Sequence, residues 1–352
     1  MKKALKIILL ILLVIGAVLF RNIWESGAFK KIENSFSGVT TRIDGLAGAE
    51  DITVDQSTGI AFLSSDDRWV NNKGKELIKG AIYRLNLNDS VIQPVNLTVD
   101  FPEQDFRPHG LSLYQTPEGK KILFVINHRR SGNVVEIFEY RNDSLIRVDT
   151  VRHELLISPN DIVGVGARSF YFTNDHDTKP TMGRTIKDLL MIGSGNVGYY
   201  DGKDMTATGI EGINYANGIN MSGDGKKLYV AATTGKKILI YNREISNGEL
   251  KLSAELDTDT GVDNIELNSN GDLWIGCHPQ MLKFLFHAKD ETKLSPSEII
   301  RLKNLGNDRF EQSTVYMNDG TEISASSVGA VYRDKLLIGP VFQRHMVLAE
   351  MK

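Results

Sequence analysis

Three pairs of adjacent oxygen-bearing residues, Glu50-Asp51, Asn160-Asp161 and Asp263-Asn264, stand far apart in the 352-residue chain. Each leads directly into an apolar stretch: Ile52-Thr53-Val54, Ile162-Val163-Gly164-Val165 and Ile265-Glu266-Leu267. Carboxylates and amides without cysteine are hard oxygen donors, the set preferred by Ca²⁺, which takes about six to eight of them. His109 and Asn217 hold the same place before Gly110-Leu111-Ser112-Leu113 and Gly218-Ile219-Asn220-Met221. If these starts converge, Glu50, Asn160, Asn217, Asp263 and Asn264 form one oxygen site whose two carboxylates match a divalent charge. Neighbouring residues of an extended chain face opposite ways. Asp51 and Asp161 are therefore expected to turn toward a second ion. A lone Asx residue at a strand start ordinarily caps backbone donors, but capping does not call for a matched, carboxylate-rich set arranged in doublets.

The elements that must bring these residues together form a repeat. Six segments share one plan, a polar leader, a short strand, a tight polar turn and a second apolar strand. Their leaders, Glu50, His109, Asn160, Asn217, Asp263 and Ser326, are spaced by 59, 51, 57, 46 and 63 residues. Such intervals suit propeller blades of four antiparallel strands, about 40–50 residues each plus loops. Turns such as Ser222-Gly223-Asp224-Gly225 and Ser269-Asn270-Gly271-Asp272 are hairpin links. The fold expected is an all-β, six-bladed β-propeller in which each blade's first strand lines a central channel. Helical periodicity is weak past the N-terminus, with one candidate stretch at Thr185–Ile192.

The motifs Gly48-Ala49-Glu50-Asp51, Pro108-His109-Gly110-Leu111-Ser112, Val125-Ile126-Asn127-His128, Asn160-Asp161-Ile162-Val163-Gly164, Thr173-Asn174-Asp175-His176, Ala216-Asn217-Gly218, Val262-Asp263-Asn264-Ile265 and Leu273-Trp274-Ile275-Gly276-Cys277-His278-Pro279 resemble, in order, those of the serum paraoxonase/arylesterase family of calcium-dependent lactonases. The resemblance implies a six-bladed propeller with two axial calcium ions. It assigns Glu50, Asn160, Asn217, Asp263 and Asn264 to a catalytic ion, and Asp51, Asp161 and the Leu111 carbonyl to a structural one. His109 and His128 match the family's histidine pair. Two departures stand out. Animal members join their chain ends by a disulfide, whereas Cys277 is the only cysteine here, so ring closure falls to strand pairing and packing. Asp66-Asp67-Arg68-Trp69 replaces a more hydrophobic segment, which bears on substrate preference.

The chemistry expected is hydrolysis of lactones and of aryl or other carboxylic esters. A cation polarises the carbonyl, and His109, at the mouth of the second blade, serves as base with His128 behind it. Tyr215, Trp69 and Leu285 are candidates for an apolar substrate wall. Asp175-His176 reads as a loop cap or as support for the histidines, and His278 as structural. Two other functions fit the same repeat: a gluconolactonase-type sugar-lactone hydrolase, and a non-catalytic, membrane-anchored binding propeller.

Composition sets the bounds. Hydrophobic residues make up 41% and charged residues 24%, enough apolar material for a large core. The net charge of −3 offers no basic face for nucleic acid. Lys2, Lys3 and Lys6 lead into an apolar run from Ile7 to Phe20, the pattern of an export signal. No small-residue cleavage site follows, so residues 1–24 are expected to remain as a signal anchor, with the hydrolase domain, residues 25–352, outside the cytoplasm. The run alone would make roughly 21 Å of helix, short of a bilayer core of about 30 Å. Sequons occur at Asn88, Asn96, Asn142 and Asn220, the last inside an inner strand.

Overall fold

The computed structural model of the protein describes residues 2–74 and 76–352. Met1, the first residue of the expected anchor, lies outside them. A long helix, α1 (Lys2–Glu25), leads into six antiparallel sheets. Blade 1 begins with Ile52–Asp55, blade 2 with Pro108–Gln115 and blade 3 with Pro159–Gly164. Blades 4, 5 and 6 begin with Ala216–Met221, Gly261–Leu267 and Ser326–Tyr332. Each of these strands is an edge of its own sheet and touches its counterparts in the blades on either side, the sixth closing on the first. They form the inner ring, as the repeat predicts.

Alternation along the strands builds an apolar layer at every blade junction. Ile162 and Phe172 of blade 3 meet Phe124 and Ile137 of blade 2, and Leu63 of blade 1 meets Val328 and Leu337 of blade 6. The ring closes between the chain's two ends. Gly38–Asp44 pairs antiparallel with His345–Met351, from Gly38 opposite Met351 to Asp44 opposite His345, and supplies the fourth strand of blade 6. Ser35–Phe36, just before it, pairs with the outer strand of blade 5.

The inner strands depart from simple alternation. In blade 2, Pro108 pairs with Asn127 but Leu111 with Val125, so three steps on the inner strand answer two on its partner. The same one-residue bulge falls at Asn160-Asp161, Asn217-Gly218 and Asp263-Asn264, and a related shift at Ser327. Bulges re-aim side chains and increase local twist. The opposite-facing rule applied to the doublets is thus replaced at blades 3 and 5 by bulge geometry.

Four helices occur among the described residues. α1 runs past the apolar stretch to Glu25, about 36 Å at roughly 1.5 Å per residue. Leu5–Glu25 is long and apolar enough to cross a bilayer and is almost wholly exposed, so the shortfall expected from Ile7–Phe20 alone does not arise. After α1, the Ser26 carbonyl accepts the Met281 N–H at 2.9 Å and the Lys30 carbonyl accepts Gln280 Nε2 at 2.7 Å. Lys30 Nζ also lies 3.2 Å from the buried carboxylate of Glu298. The short α2 spans Arg68–Asn71, and Asp67 caps it by accepting the Val70 N–H. α3 spans Met182–Leu189, three residues earlier than the periodicity suggests. α4 spans Met281–Lys289.

Candidate active site

Glu50, Asn160, Asn217 and Asp263, from four different blades, line one cavity of about 190 Å³ together with His109. A larger groove of about 710 Å³ lies on the outer strands of blades 3 and 4, around Arg243 and Leu250, away from these residues. The cavity sits where the inner ring opens beneath α4. Its apolar wall comes from Met281, Phe284, Leu285 and Val341, and the facing wall from Tyr215, Thr233 and Thr234.

The polar floor is fixed from behind. Asn264 Nδ2 donates to Glu50 Oε1 at 2.9 Å and to the Glu50 carbonyl at 3.0 Å. Asn217 Nδ2 donates to Thr233 Oγ1 at 3.1 Å. His278 Nε2 donates to Asp263 Oδ2 at 2.8 Å, and its ring packs on Phe284 at 4.1 Å. With the nitrogens so engaged, oxygens are left over. Glu50 Oε2, Asn160 Oδ1, Asn217 Oδ1 and Asn264 Oδ1 are buried without a hydrogen-bond partner. Burying an unpaired polar atom costs about 1–3 kcal/mol, and native interiors rarely leave one unexplained. Four from four blades, beside the carboxylate of Asp263, fit a hard cation. Among the described residues, no group of three or more His, Cys, Asp and Glu side chains could by itself hold a metal. The donor set is a mixture of carboxylates and amides.

Asp51 and Asp161 form a second layer. Asp51 accepts the Ile52 N–H at 2.9 Å and the Leu111 N–H of blade 2 at 2.7 Å. Asp161 accepts the Ile162 N–H and the Ile219 N–H of blade 4, both at 2.7 Å. Leu111 thus meets Asp51 through its N–H. Burial raises the pKa of Glu50, Asp51 and Asp161 above the usual carboxylate range; charge repulsion from nearby carboxylates adds to it, while the Arg68 charge at Glu50 and the backbone N–H groups at Asp51 and Asp161 oppose it. A divalent cation among them would favour their charged forms.

His109 borders the cavity, its Nε2 3.6 Å from Glu50 Oε2. His128 lies outside the lining and meets the His109 ring edge-on at 4.9 Å. Its Nδ1 is 2.8 Å from Asn133 Oδ1. Burial, with the Arg68 charge nearby, holds His109 well below the usual imidazole range, and burial also lowers His128. Asp175 accepts from His176 at 2.8 Å and from Ser158, and the His176 ring stands edge-on to Tyr215 at 5.3 Å.

Several contributors escape sequence reasoning. Arg68, 5% exposed, places Nη2 3.2 Å from His109 Nδ1 and 3.8 Å from Glu50 Oε2. Its segment is a buried polar corner: Asn71 and Arg107 hold Asp66, and Arg344 pairs with Asp67. Ser327 Oγ donates to the Glu50 carbonyl at 2.6 Å. A visible signal was available for it, since Ser327 directly follows Ser326, the leader of the sixth repeat. Of the proposed wall residues, Tyr215 and Leu285 face the cavity, whereas Trp69 stacks behind it on Phe342 at 5.7 Å.

The family description Arylesterase matches residues 30–349. The chain is 34% identical to human "Serum paraoxonase/arylesterase 1", over 96% of this chain and 98% of the relative. It is 32% identical to "Serum paraoxonase/lactonase 3" of Oryctolagus cuniculus, with the same coverage of 96% and 98%. Among solved structures, regucalcin from Agrobacterium tumefaciens, titled a calcium-binding protein, superposes with TM-score 0.52 at 13% identity, covering 91% of this chain and 98% of that one. That last likeness is one of fold.

Proposed function

The chain belongs to the arylesterase family, and from that premise we propose that its channel mouth is the reaction centre of a calcium-dependent hydrolase. It hydrolyses lactones and carboxylic esters, the activities named in its relatives. The four unpartnered oxygens beneath the cavity carry the reading. Glu50, Asn160, Asn217, Asp263 and Asn264 are the proposed holders of a catalytic calcium. Asp51, Asp161 and the Leu111 carbonyl are those of a structural one.

When bound, calcium supplies positive charge that polarises an ester carbonyl and offsets the charge developing on its oxygen as water adds. The protein's own groups do the rest. Asn264 and Ser327 hold Glu50 in place, Thr233 turns the Asn217 oxygen inward, and His278 orients Asp263. Met281, Phe284, Leu285 and Val341 exclude water from one side and receive the apolar part of the substrate. His109, on the cavity wall, and His128, against its ring, handle protons there. Residues 1–24 are the proposed anchor and residues 25–352 the exported hydrolase domain, supported by the length and exposure of α1.

The test is hydrolysis of a δ-lactone, an acyl homoserine lactone and phenyl acetate, with and without chelator, beside thermal unfolding. Added calcium should restore turnover and raise the unfolding temperature. Equal turnover in excess chelator would overturn the calcium reading, and His109→Gln should lower kcat by about 100-fold or more.

A further inference from the structure

A guanidinium carries N–H donors and no acceptor. Arg68 Nη2 faces His109 Nδ1 at 3.2 Å, so this nitrogen must present a lone pair. The proton of the neutral ring then resides on Nε2. Arg68 is not free to swing aside: Nη1 donates to the Gly48 and Val341 carbonyls at 3.0 and 3.2 Å, and Nη2 lies 3.5 Å from the Pro108 carbonyl. The Nε2–H lies 3.6 Å from Glu50 Oε2, too far for a good hydrogen bond, at the wall of the cavity. It is available to a bound ligand.

His128 carries the opposite tautomer. Asn133 Nδ2 donates to the Leu156 and Ile157 carbonyls at 3.0 and 3.2 Å, so its oxygen must accept. The His128 proton is therefore on Nδ1, 2.8 Å away, and Nε2 keeps the lone pair.

We propose that Arg68 is a positioning residue that fixes the His109 proton on Nε2, so that His109 enters the reaction as a hydrogen-bond donor to the substrate's carbonyl oxygen. This rests on the hydrolase reading and reverses the expectation that His109 begins as the base. The buried cation also discourages a proton from settling on Nδ1, where it would confront the guanidinium. Arg68 itself lies behind His109 and is absent from the cavity lining.

The experiment uses the full chain in detergent, calcium-loaded and labelled with ¹⁵N-histidine, with the two rings assigned from spectra of His109→Gln and His128→Gln. Long-range ¹H–¹⁵N correlation at neutral pH should show His109 protonated on Nε2 and His128 on Nδ1. Arg68→Lys, which keeps a charged donor, should retain the His109 tautomer. Arg68→Met should release it to a mixture and lower kcat by about 10- to 100-fold with KM little changed, the usual size of a supporting-residue effect. Wild-type protein that turns over substrate with His109 protonated on Nδ1 would overturn the inference while leaving the hydrolase reading intact. A folded Arg68→Met variant with unchanged tautomer and kcat would overturn it as well. Should that variant fail to fold, the wild-type spectrum still decides.

Discussion

At the scale of single residues, the site works by using up nitrogens and leaving oxygens. Asn217 and Asn264 each spend their amide N–H groups on a neighbour, so each oxygen has one direction left to face. His278 does the same for Asp263, holding one carboxylate oxygen so that the other is presented at a fixed angle. His278→Ala is accordingly expected to weaken calcium binding by about 10- to 100-fold, in line with other supporting ligand contacts. A calcium titration followed by the rise in unfolding temperature measures it, and unchanged affinity would return His278 to the purely structural role its sequence context suggests. Much of this layer was legible. Glu50, Asn160, Asn217 and Asp263 stand at matched points of a repeat and converge on one cavity. Arg68 was not, because it enters through α2, a short helix outside the repeated strand pattern, and its role depends on Gly48, Pro108 and Val341 carbonyls that only the closed ring brings near.

At the scale of elements, adjacent inner strands come so close that glycine becomes a requirement at the bulge. A Cβ on Gly110 would lie 2.6 Å from the Asn160 carbonyl oxygen and 2.6 Å from Asp161 Cα, both backbone atoms that cannot yield cheaply. Gly110→Ala should therefore spread blades 2 and 3, lowering both the unfolding temperature and calcium affinity. Gly223→Ala, in a hairpin turn with open space around it, should change little. Ionic contacts also bridge blades. Lys121 of blade 2 reaches Asp55 of blade 1 at 2.5 Å. Burial alone would raise the Asp55 pKa, but hydrogen bonds from Lys121, Ser57 and Thr58 outweigh it and hold the carboxyl at about 2. Because the folded value lies below the unfolded one, the stabilisation is complete above about pH 4 and fades as pH falls toward 2. Asp55→Asn should cost about 1–2 kcal/mol at pH 7, and denaturant titrations of the two proteins should draw together near pH 2. A gap independent of pH would refute the assignment.

At the scale of the whole molecule, the ring is held shut by the pairing of Gly38–Asp44 with His345–Met351, not by a covalent link. α1 adds nothing to that closure, although the turn after it docks on α4 beside the cavity. A chain starting at residue 25 is expected to fold, bind calcium and leave the membrane fraction. One starting at residue 45 loses the fourth strand of blade 6 and should fail to unfold cooperatively. Membrane fractionation and calorimetry of the two truncations check this, and a membrane-bound residue-25 chain would remove α1 as the anchor.

The sequence by itself determined the propeller, its six inner strands and most of the oxygen set, because a repeat forces equivalent positions onto one axis and binary patterning then buries one face of each strand. Tertiary structure decided what periodicity cannot encode. The bulges that re-aim the doublets are register facts between strands. The cavity's apolar wall comes largely from α4, a nine-residue helix too short to announce itself by period. The proton positions on His109 and His128 follow from which donors and acceptors surround each ring, Arg68 for one and Asn133 for the other. Contacts of that kind belong to the folded neighbourhood, since the partners lie 41 and 5 residues away along the chain in no pattern that spacing could reveal.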